Sequence, residues 1–192
     1  MTALRKTKLA LTSKAAPFAI RAEKASDVVA REALLDACFG ENRSLRTCQR
    51  LRDGRMPAEG LAFSAVAEGR PVGTLRLWHV SAGGIPALML GPLAVEESSR
   101  KLGAGTALMD HAVAAATARG HRAVILLGDA PYYARFGFVP EKMAELSLPG
   151  PFERDRLLGL ELSAGALDGA RGVIVATGLS LPVRKAPRAR AA

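Results

Sequence analysis

The chain has 192 residues, of which 49% are hydrophobic, and this is enough for one globular domain with a substantial buried core. Its longest apolar stretch, residues 85–95, is shorter than the about 20 helical residues that cross a bilayer, so we expect a soluble protein with no membrane partner. The net charge of +9 is concentrated at the ends, because residues 1–14 and 182–192 each carry four basic side chains and no acid, which leaves +1 for the body.

Both ends are predicted to be disordered basic tails, at residues 1–16 and 181–192, around a single domain at residues 17–180. Their alanine, proline, lysine and arginine content buries too little apolar surface to offset the entropy of ordering. Solvated ends are favoured over an anionic contact, so we expect no nucleic-acid partner for the domain. Binding of nucleic acid through the tails stays a third hypothesis, and a transit peptide at the N-terminus is the less favoured interpretation of its composition.

The cysteines and histidines predict neither a disulfide framework nor a metal site. Cys38 and Cys48 lie outside any C-x-x-C pattern and are too few for a framework, which fits a reducing cytoplasm. His79, His111 and His121 lack the spacing of metal ligands, so we expect no metal.

The first third of the chain predicts a strand, a helix and a long connection. Residues 18–21 indicate a strand, and Ser26 or Asp27 is expected to cap a helix whose apolar positions recur from residue 28 to 37. The polar, arginine-rich stretch at 41–59 shows weak helical periodicity at 45–51. A short helix within a long connection is therefore predicted there.

The middle of the chain predicts a hairpin followed by a strand buried on both faces. Residues 61–67 and 72–80 are strand-like and are separated by a short turn sequence, which favours antiparallel pairing. Residues 87–95 are almost wholly apolar, but Gly91-Pro92 interrupts them, and proline inside a sheet is found at bulges. The sequence therefore predicts a bulge or splayed end in the most buried strand, a break of a local rule that favours a functional site.

The last part of the chain predicts a parallel crossover and the rest of the sheet. An alanine-rich helix at 103–119, closed by Gly120, leads to a buried strand at 123–127, and this connection is long enough for a right-handed crossover. Pro131 suits the first turn of a short helix that Gly137 ends. Further strands are predicted to begin at Phe138-Val139 and to occupy residues 157–162 and 172–177.

The loop at residues 95–106 has the composition of an anion site. Unpaired amides and the positive dipole end of a helix favour phosphate, and glycine lets the backbone approach closely. An ordinary turning loop explains R-x-x-G-x-G equally well at this point. A dinucleotide fold is disfavoured because Leu108 replaces the third glycine and the glycines come well after the strand, and no G-K-[ST] supports a P-loop.

Three segments together resemble the GNAT superfamily of N-acetyltransferases, in its order and spacing. These are the strand at 91–95, the loop Arg100-x-x-Gly103-x-Gly105, and the segment 132–138 with the sequence YYARFGF, preceded by Leu126-Leu127-Gly128-Asp129. The chain is similar to a bacterial subgroup of predicted N-acetyltransferases over roughly residues 18–178. The resemblance implies an α/β fold with a mixed, V-splayed central sheet flanked by helices, and acetyl-CoA as cosubstrate.

By the same resemblance, the site residues can be assigned. The Val95 amide would polarise the thioester carbonyl, and Tyr133, four residues before Gly137, would be the general acid that protonates the departing sulfur, while Tyr132 would pack. An alternative is that the Tyr133 ring only packs beneath the cofactor. The implied cofactor-binding residues are Leu93, Ala94, Val95, Arg100, Lys101, Leu102, Gly103, Ala104, Gly105, Thr106, Asp129 and Tyr133.

The acceptor and the general base stay open. The resemblance implies transfer to a primary amine, and Glu41, His79 and Asp129 are weak candidates for the base, Asp129 being equally suited to cap the helix at Pro131. A non-catalytic acyl-CoA-binding sensor is the alternative function. A homodimer is also left open.

Overall fold

A computed structural model of the protein describes residues 17–182. The predicted tail at 1–16, and all but two residues of the tail at 181–192, lie outside the described residues. Leu181 and Pro182 are described, and the Leu181 amide donates to the Gly54 carbonyl oxygen at 2.8 Å.

Within residues 17–182 the chain forms a mixed α/β fold. The strands are β1 (Ala19–Ala22), β2 (Ala62–Ala67), β3 (Arg70–Ala82), β4 (Ile85–Val95), β5 (Ala123–Leu127), β6 (Leu146–Ser147), β7 (Leu157–Glu161) and β8 (Gly172–Ala176). The helices are α1 (Val28–Phe39), α2 (Glu97–Arg100), α3 (Ala104–Ala118) and α4 (Ala130–Ala134). Short 3-10 turns lie at Ala25–Asp27, Glu41–Leu45, Thr47–Leu51, Glu141–Met143 and Arg154–Arg156. None of the helices in this part of the chain is long and apolar enough to span a membrane.

The strands form one eight-stranded sheet with the order β1-β2-β3-β4-β5-β7, and β8 pairs with the end of β3 and with β6. The predicted hairpin between β2 and β3 is confirmed, and its two turn residues, Glu68 and Gly69, have positive φ angles of 50° and 79°. Such a turn matches the twist of paired strands. The predicted crossover is confirmed too, because β4 and β5 pair in parallel through α3.

Both faces of the central strands are buried, which explains their near-continuous apolar sequence. On one face α3 packs against the sheet, and the largest buried side chains there include Leu75, Leu77, Leu88, Leu108 and Met109. On the other face Trp78 and Met89 pack with Leu51 and with the segments that follow β5, including Met143 and Leu157. Alternate residues of β4 and β5 therefore serve two separate cores.

The sheet opens where β4 is interrupted. Leu75 pairs with Leu93 and Leu77 with Leu90, so two residues of β4 oppose one residue of β3, which is the predicted bulge at Gly91-Pro92. The parallel pairing of β4 with β5 covers only Leu88 with Val124 and Met89 with Ile125. From the bulge onward β4 and β5 diverge, and this confirms the V-splayed sheet.

Some local predictions are wrong. The Asp27 carboxylate precedes α1 but does not cap it; it accepts hydrogen bonds from Arg21, from the Lys24 amide and from Ser64. The expected helix at 45–51 is part of two successive 3-10 turns. Phe138-Val139 starts no strand, since Val139 makes a single bridge to Gly159, and β6 was not anticipated.

Candidate active site

A cleft of about 400 Å³ lies at the splayed end of β4. It is bordered by the last turn of α1, the end of β4, the first turn of α3 and α4. Its lining residues are Cys38, Phe39, Leu93, Ala94, Val95, Arg100, Gly105, Thr106, Tyr132 and Arg135.

Peptide groups of β4 face this cleft. The Glu96 amide donates to the Val72 carbonyl oxygen at 2.8 Å, which makes residues 72 and 96 a hydrogen-bonded pair of the antiparallel ladder. Such pairs alternate, so the peptide groups of Ala94 point to β3, whereas those of Leu93 and Val95 point away from it. The Val95 carbonyl oxygen accordingly accepts a hydrogen bond from Arg100 Nε at 3.0 Å. The unpaired edge of β4 therefore offers the backbone of Leu93 and Val95 to a ligand.

The predicted anion loop forms the second wall. α2 ends at Arg100, and Gly103, with a φ of 86°, precedes the first turn of α3. The first amides of a helix have no intrahelical partner, so those of the first turn of α3 are free donors at its positive dipole end. Lys101 and Leu102 are exposed on the loop, and Ala104 is fully buried beneath it.

Glycine keeps this wall open. A Cβ atom on Gly103 would meet nothing within 4 Å, while a Cβ on Gly105 would lie 3.0 Å from the Tyr132 hydroxyl and 3.6 Å from Val95 Cγ2. The space in front of Gly105 is therefore one that a side chain would fill. Thr106 Oγ1, one residue further, accepts a hydrogen bond from Arg135.

The two tyrosines of α4 have different surroundings. Tyr132 lines the cleft, with the Arg135 guanidinium 4.8 Å above its ring, and the ring also packs against Tyr133, with ring centroids 4.9 Å apart. Tyr133 is not among the described lining residues: its ring lies against Gly128, where a Cβ would be 2.1 Å away, and 6.0 Å from the Phe138 ring. Burial raises the pKa of Tyr133 to about 12.

None of the three base candidates lines the cleft. The Asp129 carboxylate accepts a hydrogen bond from the Tyr132 amide at 3.3 Å and so caps α4, which was the alternative to its role as a base. Glu41 is exposed in a 3-10 turn, and His79 lies in a different pocket, next to His121. Among the described residues no group of three or more His, Cys, Asp or Glu side chains could hold a metal ion.

Comparison with known proteins identifies the fold. Residues 58–140 match the family described as the acetyltransferase (GNAT) domain. The crystal structure of the GNAT family N-acetyltransferase YhbS from Escherichia coli, in complex with CoA, superposes with a TM-score of 0.73 at 27% identity, over 86% of this chain and 93% of that one. Residues 58–140 thus match a GNAT acetyltransferase domain, and the fold is that of a GNAT N-acetyltransferase.

Two further similarities agree with this assignment. The sequence of the uncharacterized N-acetyltransferase YhbS from E. coli K12 is 28% identical over 157 residues, which cover 81% of this GNAT chain and 93% of the relative. A GNAT family acetyltransferase from Brucella melitensis, in complex with acetyl-CoA, shares the fold with a TM-score of 0.60 at 24% identity, over 83% of this chain and 96% of that one. By family this protein is an acyltransferase.

Four lining residues of the GNAT cleft were not anticipated as site residues: Cys38, Phe39, Tyr132 and Arg135. Arg135 is inside the recognised YYARFGF segment, so a signal for it existed. Cys38 and Phe39 end α1, and Cys38 Sγ lies 3.5 Å from the Val95 carbonyl oxygen, 57 residues away in sequence. No spacing pattern connects residues that far apart.

Proposed function

We propose that the protein transfers the acetyl group of acetyl-CoA directly to a primary amine. One observation carries this proposal: the free edge of β4, with the backbone of Leu93 and Val95, opens into the same cleft as the glycine-containing first turn of α3. An extended, amide-bearing chain that ends in a pyrophosphate fits such a pair of walls. The residues fit because the space in front of Gly105 is one that a Cβ would fill.

Each wall has a separate task in this proposal. Leu93 and Val95 would pair with the pantetheine amides as an added strand does, with Ala94 shaping the wall between them. The phosphates would be held by the loop residues Arg100, Lys101, Leu102, Gly103, Ala104, Gly105 and Thr106. Asp129 would contribute by fixing the start of α4, where Tyr132 and Arg135 border the cleft.

The chemistry needs one bond formed, one broken and one proton moved. The amine nitrogen forms a bond to the acetyl carbon, the carbon–sulfur bond breaks, the amine loses a proton and the departing thiolate gains one. The Val95 amide would stabilise the negative charge that develops on the carbonyl oxygen. Tyr133 would donate the proton to sulfur, and its raised pKa keeps it protonated at neutral pH.

A non-catalytic acyl-CoA-binding sensor is the second candidate. It is favoured by one observation, that Glu41, His79 and Asp129 all lie outside the described lining of the cleft. Turnover with any amine would contradict it.

The first experiment compares acetyl-CoA and NAD by titration calorimetry on the wild type, Gly103→Glu and Gly120→Glu. Both glycines have positive φ, 86° and 78°, and an added Cβ meets nothing within 4 Å at either, so the two variants carry the same backbone strain at opposite ends of α3. We expect acetyl-CoA binding to weaken at least about tenfold in Gly103→Glu alone, because its carboxylate repels phosphate. Equal binding by both variants, or NAD binding in place of acetyl-CoA, would contradict the proposal.

Three further parts of the proposal concern the protein's setting. We place the catalytic domain at residues 17–180 and the reaction in a reducing cytoplasm, which is supported by the two free thiols, Cys38 and Cys48. A homodimer stays a prediction.

A further inference from the structure

Arg52 stands beside the bulge of β4 with most of its hydrogen-bonding capacity unused. It follows the 3-10 turn Thr47–Leu51, and its Nη1 atom is 3.9 Å from the Cβ position of Gly91. Its Nε donates to the Cys48 carbonyl oxygen at 3.1 Å, and this is the one hydrogen bond its guanidinium makes among residues 17–182. The side chain is half-buried, and its terminal nitrogens donate to no described protein atom.

Three other arginines of this connection bind protein groups. Residues 41–55 contain five arginines and two acids. Arg43 pairs with Glu32 and Asp36, Arg50 donates to the Pro149 carbonyl oxygen at 2.6 Å, and Arg55 to that of Gly178 at 2.7 Å. Arg52, like Arg50 and Arg55, makes no ion pair with a described carboxylate, and what sets it apart is the position of its Nη1 atom beside Gly91 of β4.

Neither nearby acid makes an ion pair with Arg52. Glu41 is exposed, and Asp53 accepts a hydrogen bond from Gln49 at 2.7 Å. Burial is the main cause that lowers the pKa of Arg52; the charges of Cys48 and Asp53 raise it, and those of Arg43 and Arg46 lower it. The guanidinium is therefore partly desolvated without a paired carboxylate, and an anionic ligand would supply the missing partner.

A second guanidinium, that of Arg156, lies near the end of β5. Arg156 Nε is 3.5 Å from the carbonyl oxygen of Gly128, which directly follows β5 and lies against the Tyr133 ring. The turn that carries Arg52 is joined to the segment before β7, because Thr47 donates to the Pro151 carbonyl oxygen and Arg50 to that of Pro149. Arg52 therefore lies beside Gly91 of β4, and Arg156 lies beside Gly128 after β5, close to the proposed acid Tyr133.

We infer that Arg52 binds an anionic group, a carboxylate or a phosphate, carried by the acceptor amine. This inference rests on the proposed acetyl transfer, and it names the acceptor as a small amine that also bears a negative charge. A planar guanidinium holds either anion through paired N–H donors.

The test uses matched pairs of amines that differ in the anionic group, with thiol release as the readout. Phenylalanine against phenethylamine tests the carboxylate, and phosphoethanolamine against ethanolamine tests the phosphate. We expect a higher kcat/KM for the anionic member of at least one pair. Arg52→Gln should lower the kcat/KM of that anionic amine roughly 10- to 100-fold, mainly through KM, while the kcat/KM of its neutral partner is unchanged. Arg52→Lys should restore part of the preference.

Two controls keep the outcomes distinct. Arg55→Gln, in the same segment but bonded to Gly178, should keep the preference of the wild type. A preference for the neutral amines, or an equal loss on both members of a pair in Arg52→Gln, would overturn the inference. Calorimetry of the wild type with acetyl-CoA decides the other question, since failure to bind it overturns the proposed function, whereas binding without any anion preference overturns the role of Arg52 alone.

Discussion

Tyr132 and Tyr133 are adjacent in sequence but face different parts of the molecule. Consecutive residues of a helix point about 100° apart, so one ring of the pair borders the cleft and the other packs over Gly128. The hydroxyl of Tyr132 is 3.0 Å from where a Cβ of Gly105 would stand. Two chemically identical side chains therefore have separate tasks, one in shaping the cleft and one in the proposed proton transfer.

Phenylalanine at each position separates these tasks. If Tyr133 is the acid, Tyr133→Phe should lower kcat roughly 100-fold or more, with acetyl-CoA affinity kept, while Tyr132→Phe should change kcat only a few-fold. Because burial raises the pKa of Tyr133 to about 12, the wild-type rate should show no loss from its ionisation up to about pH 10. Steady-state kinetics with calorimetry on the same samples measures both quantities. Full activity of Tyr133→Phe would leave that ring a packing role only.

The residues of the cleft were predictable where a local pattern carries them. Leu93, Val95 and the loop from Arg100 to Thr106 lie in one continuous segment whose glycines and position before a helix reveal them. Arg52 was visible only as part of an arginine-rich connection, since what distinguishes it is its position beside Gly91 of β4. Which guanidinium lies there depends on tertiary contacts that no single sequence displays.

At the scale of elements, the first turn of α3 combines two conflicting requirements. A helix gains stability from alanine over glycine, by about 1 kcal/mol, because glycine loses more backbone entropy on folding. Gly105 is nevertheless a glycine at the edge of the cleft, where any Cβ would approach Val95 and Tyr132. Gly105 therefore leaves room in the cleft at a cost to the stability of the helix.

Gly105→Ala should separate these two requirements. We expect the free energy of unfolding to stay equal or to rise by up to about 1 kcal/mol, and acetyl-CoA affinity to fall roughly tenfold, because the new methyl group narrows the cleft. Ala114→Gly, at an exposed position of the same helix, is the converse control and should lose stability but not affinity. Urea denaturation and calorimetry measure the two effects. Unchanged affinity in Gly105→Ala would place the ligand elsewhere.

Most elements were predictable because their patterns are local. The hairpin follows from a two-residue turn, and the bulge from a proline in an otherwise buried strand. The strand predicted to begin at Phe138-Val139 does not form, because a short apolar run does not reveal whether a partner strand is near enough to pair with it. The predicted helix cap at Asp27 does not form, because its carboxylate pairs with Arg21 at 2.6 Å, a stronger partner than the helix amides. Tertiary pairing therefore overrode local propensity.

At the scale of the whole molecule, Asp27 joins β1, α1 and β2. Its side chain is 5% exposed, and the hydrogen bond from Arg21 is the main cause that holds its pKa well below the usual range. Since the folded-state pKa is depressed, this contribution to stability is present above the unfolded pKa of about 4 and is lost as the pH falls below it. The molecule should therefore lose stability in acid partly through this one carboxylate.

Asp27→Asn tests that contribution. At neutral pH we expect the free energy of unfolding to fall by about 2 kcal/mol, because the charged hydrogen bond to Arg21 is weakened, and the difference from the wild type should shrink below about pH 4. Asp36→Asn is the matched control, with a side chain 51% exposed in its pair with Arg43, and it should change stability by less than about 0.5 kcal/mol. Denaturation in urea at both pH values gives the comparison. A constant difference at both would assign the effect to packing.

The short pairing between β4 and β5 has a thermodynamic consequence. Only two residue pairs join β4 to β5, so how firmly the splayed ends of these two strands are held depends on what occupies the space between them. A cosubstrate that touches both sides binds the folded chain and not the unfolded one, and at 100 times its dissociation constant it adds about 2.7 kcal/mol to the unfolding free energy. The melting temperature of this protein should therefore rise with the concentration of the acyl donor.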